Sequence, residues 1–173
     1  MKKNGNNHVV LQEILSQPQI WEKTFDVLKD TGDIPLGNET KAGTRGPIIL
    51  VGCGSSYYLS LAVTPLWESR HNAPVRAISA TDLLTYPEGY LNRSTPGTLM
   101  AVSRSGKTNE ICAVANHARK ELGWGTIALT CYPGSPITDI CEQSIVLADA
   151  AEDSRFTTRA LTSMILTLEE VIC

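Results

Sequence analysis

Five short runs of aliphatic and β-branched residues, each followed by a stretch with another periodicity, constrain this chain more than any other feature. They are residues 47–51 (PIILV), 75–79 (VRAIS), 98–103 (TLMAVS), 124–130 (WGTIALT) and 144–148 (SIVLA). Helical patterns fill the intervals at 55–70, 108–122 and 135–142, with a shorter one at 81–86. Strands buried on both faces read as continuous apolar runs, and parallel strands need connections long enough to hold a helix. The alternation therefore predicts an α/β chain: a three-layer α/β/α sandwich around a five-stranded parallel sheet, with right-handed crossovers.

The flanks carry less information. Residues 8–29 bear an imperfect helical stripe at Val10, Ile14, Ile20, Phe25 and Leu28, with Pro18 starting a second piece. Residues 30–46 are rich in turn formers and read as a linker. The expected organisation is a helical segment and linker over 1–46 and one domain over 47–173. The final stretch, 156–173, has a helical stripe at Leu161, Met164, Ile165, Leu168, Val171 and Ile172 that is too apolar to face solvent. It is expected to form an interface, most simply in a twofold dimer.

Composition excludes several functions. A net charge of −3 lacks the basic footprint of a nucleic-acid binder. No apolar run reaches the roughly eighteen residues of a membrane-spanning helix, and the basic start lacks the apolar core of a signal peptide. A cytoplasmic protein with no nucleic-acid or membrane partner is expected. The five cysteines, Cys53, Cys112, Cys131, Cys141 and Cys173, have neither C-x-x-C nor zinc-type spacing. They read as reduced, buried small hydrophobes, with no metal site.

Open parallel sheets bind ligands beyond the strand C-termini, where the winding direction reverses. The informative residues are thus those directly after each strand. Gly52-Cys53-Gly54-Ser55-Ser56-Tyr57 follows the first run, Ser103-Arg104-Ser105-Gly106-Lys107-Thr108 the third, and Ala151-Glu152-Asp153-Ser154-Arg155 the fifth. The first two are hydroxyl-rich turns that open helices, and a helix N-terminus offers free amides and partial positive charge to a phosphate.

Residues 101–108, AVSRSGKT, miss the nucleotide-binding pattern G-x-x-x-x-G-K-S/T by a single glycine, and Ile145–Asp149 resembles a strand ending in a metal-holding acid. The strand pattern, however, runs through Ala101, where that glycine should stand. The remaining turn, Ser103–Gly106, is too short to encircle a triphosphate. Asp149 is as readily a turn residue or a helix cap. A serine loop has the better account. Ser103, Ser105 and Thr108 surround a glycine with hydroxyls, which suits a singly esterified phosphate held without metal. Plain capping of the helix by Ser and Thr is the bland alternative.

These motifs carry a resemblance. The chain is similar to the sugar isomerase (SIS) domain family, the phosphosugar-binding module of glucosamine-6-phosphate synthase. In that family a G-x-G/S-S/T-S turn follows strand one, matched by Gly52–Ser56, and an S-x-S-G-x-S/T loop follows strand three, matched by Ser103–Thr108. Lys107 stands where glutamate or asparagine is common. The resemblance is closer still to the tagatose-6-phosphate ketose/aldose isomerase branch, also called galactosamine-6-phosphate deaminases. It rests on Thr81-Asp82-Leu83-Leu84, Tyr90-Leu91-Asn92, Ala151-Glu152, Arg155-Phe156, Leu161-Thr162-Ser163-Met164 and Gln17-Pro18-Gln19-Ile20-Trp21. It implies a flavodoxin-like fold and aldose–ketose isomerisation or deamination of a 6-phosphorylated amino sugar, with no cofactor.

Family members of this type carry two SIS domains, so this chain is expected to be a fragment or a half that pairs with a second SIS domain or a second copy of itself. The acid/base glutamate, ring-opening histidine and C-terminal lysine of related isomerases come from beyond the first domain. Carried onto this half, Ser103, Ser105 and Thr108 would anchor the phosphate. Gly54, Ser55 and Ser56 would bind the sugar hydroxyls or assist, and Arg104 and Lys107 would add positive charge near the phosphate or else simply point to solvent. Glu152 is the candidate catalytic carboxylate, although a helix N-terminal acid has equal claim. Arg155 and Arg159, one helical turn apart, would meet phosphate or a substrate carboxylate, or else be salt-bridged. His8, His71 and His117 are weak candidates. A non-catalytic sugar-phosphate sensor is the main alternative function, and a nucleotide hydrolase the least favoured.

Overall fold

The computed structural model describes residues 5–31, 46–70 and 73–171. Five strands, β1 (Ile48–Gly52), β2 (Val75–Ser79), β3 (Thr98–Val102), β4 (Gly125–Thr130) and β5 (Gln143–Val146), form one sheet in the order β2-β1-β3-β4-β5. Every pairing is parallel. The helices are α1 (Gly5–Leu15), α2 (Gln17–Thr31), α3 (Ser55–Arg70), α4 (Ala80–Thr85), α5 (Asn109–Leu122), α6 (Pro136–Ile140) and α7 (Arg159–Glu170). This is the expected three-layer α/β/α sandwich.

Successive side chains of a strand point to opposite faces, and the central strands are apolar on both. Ile48, Leu50, Met100, Val102, Ile127 and Leu129 face a core closed by α2, α3 and α7. Ile49, Val51, Leu99, Ala101 and Ala128 face a second core closed by α4, α5 and α6. In the first layer Trp67, fully buried, donates its Nε1–H to Leu168 O at 2.8 Å and so ties α3 to α7.

Differences from expectation have local causes. The N-terminal helices separate at Ser16, whose Oγ donates to Glu13 O at 2.8 Å, and Pro18 falls in the first turn of α2, where its missing N–H costs nothing. Strand β5 stops at Val146, and residues 148–150 wind into a 3-10 turn whose Asp149 pairs with Lys23 of α2. Another 3-10 turn, Pro87–Gly89, lies where no element was expected. The final helix starts at Arg159 rather than 156. The expected linker lies largely outside the described residues, as do His71, Ile172 and Cys173.

The apolar stripe of α7 needs a correction. It was expected to require cover from a partner, but α2 and α3 cover it within the chain. Met164 and Leu168 are fully buried, and Leu161, Ile165 and Val171 pack partly buried against the same core. The N-terminal helices do expose apolar side chains, Leu11, Ile14, Leu15, Trp21 and Phe25, and others stand exposed along the chain, among them Leu61, Leu84 and Phe156. Among the described residues no helix is long and apolar enough to cross a membrane.

Candidate functional site

Strands β1 and β3 lie side by side, in register from Ile48 opposite Thr98 to Val51 opposite Ala101. From β1 the chain crosses to β2 on one side, and from β3 to β4 on the other. The two following loops therefore open at one place, the switch point of the sheet. At Gly52 a Cβ would lie 2.5 Å from the carbonyl carbon of Ser56, so the tight approach of the first turn of α3 requires glycine. Gly54 follows with φ +54°. Ser55 is exposed at the start of α3, and Ser56 is buried, its carbonyl accepting from Ser60 Oγ at 2.8 Å.

After β3 the backbone is fixed while the hydroxyls stay lightly used. Ala101 is buried within β3, as the serine-loop reading requires. Ser103 Oγ accepts from Gly106 N at 3.2 Å and lies 3.4 Å from Thr108 Oγ1. Ser105 Oγ accepts only a long bond, 3.3 Å, from Lys107 N. Gly106 has φ +63°, and a Cβ there would meet Ser135 Oγ at 2.0 Å. The Gly106 carbonyl accepts from Ile137 N at 3.1 Å. Thr108 is the N-cap of α5 by backbone geometry, yet its side chain makes no capping bond. The Thr108 side chain thus leaves the first amides of this 14-residue helix, at its positive dipole end, without a capping acceptor. Beneath the loop, Ser135 Oγ is buried and, among the described residues, has no hydrogen-bond partner.

The segment after β5 is arranged in the opposite way. The Glu152 side chain has no exposed surface. Its Oε1 accepts from Thr158 N at 2.5 Å, Thr158 Oγ1 at 2.8 Å and Ala160 N at 3.3 Å, so it binds the start of α7. Its Oε2 lies 3.3 Å from Arg104 Nη1. Arg159 donates to Ala151 O and, at 3.2 Å, to Ser16 Oγ, so most of its donors are committed within the chain. Arg155 is exposed and, among the described residues, has no hydrogen bond or ion pair. Lys107 is exposed as well. Glu13 of α1 is a participant that sequence reasoning missed. It is 3% exposed, and its Oε1 accepts from Asp153 N at 2.9 Å and Ser154 N at 3.0 Å. Burial pushes its carboxyl up, but the bonds from Ser154 and Asp153 and the charge of Arg159 outweigh this and hold it below the ordinary glutamate range. Nothing in the local sequence marks Glu13, because its partners come from the far end of the chain.

Residues 44–169 match the SIS domain model. The chain belongs to the SIS domain family. This SIS domain is 28% identical over 171 residues to a glutamine–fructose-6-phosphate aminotransferase (isomerizing) of Halobacterium salinarum, covering 95% of this chain and 28% of the relative. It is 29% identical over 136 residues to a D-galactosamine-6-phosphate deaminase of a Shewanella species, covering 75% of this chain and 35% of the relative. Its fold matches the crystal structure of tagatose-6-phosphate ketose/aldose isomerase from Escherichia coli with a TM-score of 0.73 and 22% identity, over 94% of this chain and 46% of that one. The chain therefore spans less than half the length of each of these proteins.

Other titratable groups and recesses complete the picture of this SIS domain. Among the described residues no cluster of three or more His, Cys, Asp or Glu side chains is arranged to hold a metal. Burial pushes the thiols of Cys131 and Cys141 up to about 12, and raises Cys53 and Cys112 as well. His8 is exposed on α1, and His117 lines a recess of about 210 Å³ with Leu83, Pro87, Leu91 and Val114. A second recess, of about 320 Å³, runs along the free edge of β2 beside Tyr57, Arg76 and Tyr90.

Proposed function

We propose that this SIS domain is the phosphosugar-binding half of an aldose–ketose isomerase or deaminase acting on 6-phosphorylated amino sugars. The observation that carries the reading is the meeting of the Gly54–Ser56 and Ser103–Thr108 loops at the β1–β3 switch, around an α5 N-terminus that Thr108 leaves uncapped. A phosphate monoester needs several donors and close backbone approach, and both are supplied there. In this reading Ser103, Ser105 and Thr108 anchor the ester, while Ser55 and Ser56 lie toward the sugar. The amino-sugar assignment draws support from the names of the relatives, among them the D-galactosamine-6-phosphate deaminase.

Isomerisation moves a proton between neighbouring carbons and needs a base and donors for the developing oxyanion. Glu152 is the candidate carboxylate of this half. With Oε1 bound to α7 and the side chain wholly buried, Oε2 would meet a substrate only where Arg104 gives way. Further acid and base groups would come from a second SIS domain or a second copy of the chain. The exposed Leu11, Ile14 and Leu15 on α1 support such a partner. The commitment of Glu152 also favours a second reading, a sensor that binds phosphosugar without turning it over.

A thermal-shift panel of hexose 6-phosphates, with and without a 2-amino group and beside their unphosphorylated forms, tests the binding claim. A ligand that binds only the native state raises Tm, so an amino-sugar 6-phosphate should do so and its unphosphorylated form should not. Absence of a shift with every 6-phosphate refutes the reading. Turnover separates enzyme from sensor, and light scattering tests the pairing, since a stable monomer at micromolar concentration contradicts it.

A further inference from the structure

Residues 153–157 cross to the start of α7, and carboxylates hold the crossing at both ends. At the near end Glu13 Oε1 accepts the amides of Asp153 and Ser154. At the far end Glu152 Oε1 accepts the amides of Thr158 and Ala160. Between these clamps lie Arg155, Phe156 and Thr157, of which Phe156 is 67% exposed. Among the described residues, the tie from this middle to another element is Arg104. Its Nη1 lies 3.4 Å from Phe156 O and 3.4 Å from Thr157 Oγ1, besides 3.3 Å from Glu152 Oε2.

The other end of that tie is fixed. The Arg104 carbonyl accepts from Thr130 Oγ1 at 3.1 Å and from Cys131 N at 3.0 Å, so its Cα is anchored to β4 and the turn after it. A side chain rooted in the phosphate loop thus reaches across to a span clamped at its ends, whose middle otherwise carries a local bond from Ser154 Oγ to Phe156 O at 3.1 Å. One guanidinium nitrogen carries two hydrogens and here serves three acceptors, all at long range. The tie is shared and readily released.

We propose that Arg104 is a positioning residue and not a phosphate anchor. It holds the 155–157 span against the phosphate loop, so that the span forms the sugar-side wall of the site and sets selectivity beyond the phosphate. The first clause stands on geometry alone; the second rests on the phosphosugar reading.

Trypsin tests the first clause on the full chain, because Arg155 is itself a cleavage site within the span. Cleavage of a transiently opened segment follows the population of its open form. Arg104→Gln should speed cleavage after Arg155 by about fivefold to tenfold, the scale for losing one ordinary hydrogen bond, as befits a shared and long one. Cleavage after Lys120 on α5 should not change, and Arg104→Lys should restore part of the protection. An unchanged rate after Arg155 in both variants overturns the tie. Titration with inorganic phosphate and with glucosamine 6-phosphate tests the second clause. In Arg104→Gln the inorganic phosphate Kd should move by less than about threefold, while the sugar phosphate weakens by about tenfold, the scale of one charged hydrogen bond. Equal loss of both makes Arg104 a direct phosphate ligand and overturns the positioning role. Should the wild-type chain bind neither ligand, the phosphosugar reading and the selectivity clause fall together, while the cleavage arm still decides whether Arg104 holds the span.

Discussion

Two corners of the C-terminal edge of the sheet use the same residue types in opposite ways. After β3, the backbone is immobilised from below by Ser135, Ile137 and the Arg104 carbonyl bonds, while Ser105 and Thr108 keep hydroxyls with little to do. After β5, the side chains are committed. Glu152 is spanned by donors from α7 and Arg104, and Glu13 takes two further amides. A hydroxyl or charge directly after a strand marks a place in the fold. Whether it is available to a ligand depends on partners that arrive from elsewhere.

The largest effect expected from this contrast is at Gly106. Gly106→Ala combines a left-handed φ, about 1–2 kcal/mol, with a steric conflict at Ser135 of about 1–3 kcal/mol. Urea denaturation should show a loss of about 2–5 kcal/mol from those two sources. A loss of only a few tenths would mean that the loop floor yields and that the backbone there is not fixed. Next comes Glu152→Ala, which strands the donors of Thr158, Ala160 and Arg104. A stability loss of about 2–4 kcal/mol is expected, with Glu152→Gln milder because it keeps an acceptor oxygen. Were Glu152→Ala to leave stability intact and abolish turnover, the carboxylate would be catalytic and not structural.

Ser105→Ala sharpens the comparison from the other side. Affinity for a sugar 6-phosphate should fall by about 1–3 kcal/mol, while folding stability stays within about 0.5 kcal/mol. Calorimetry with the unphosphorylated sugar provides the control, and an equal loss for both ligands removes Ser105 from the anchor. The smallest effect is the pH response of Glu13. Its carboxyl is depressed in the folded chain. It therefore contributes stability above the ordinary glutamate range, and that contribution disappears as pH falls through its folded-state value. The stability difference between wild type and Glu13→Gln should shrink steadily on acidification. A difference that is flat with pH would show that the clamp holds without its charge.

The fold was legible because a parallel sheet covered on both faces writes itself as unbroken apolar runs. Each strand falls within about two residues of its expected limits, and the loops proposed as the site open together beyond the C-termini of β1 and β3. What stayed hidden is nonlocal. The stripe on α7 announced an apolar face but not that α2 and α3 would cover it. The i, i+4 spacing of Arg155 and Arg159 promised a shared role, yet Arg159 is bound to Ala151 and Ser16 while Arg155 has no bond among the described residues. Arg104 sits within the motif that marks a phosphate loop, and only the fold directs its guanidinium across to residues 152–157.

The adjacency of β1 and β3 has a consequence for time as well as for place. Their register joins residues separated in the chain by the whole of α3, β2 and α4. Such distant parallel pairing is slow to form and carries the closure entropy of everything between. Until it forms, the two serine loops are not neighbours and the proposed phosphosugar cradle does not exist. A ligand that needs both loops cannot assist a partly folded chain lacking this pair. Its binding energy would be expressed in the unfolding limb: refolding proceeds at the same rate with or without ligand, and the occupied native state lives longer.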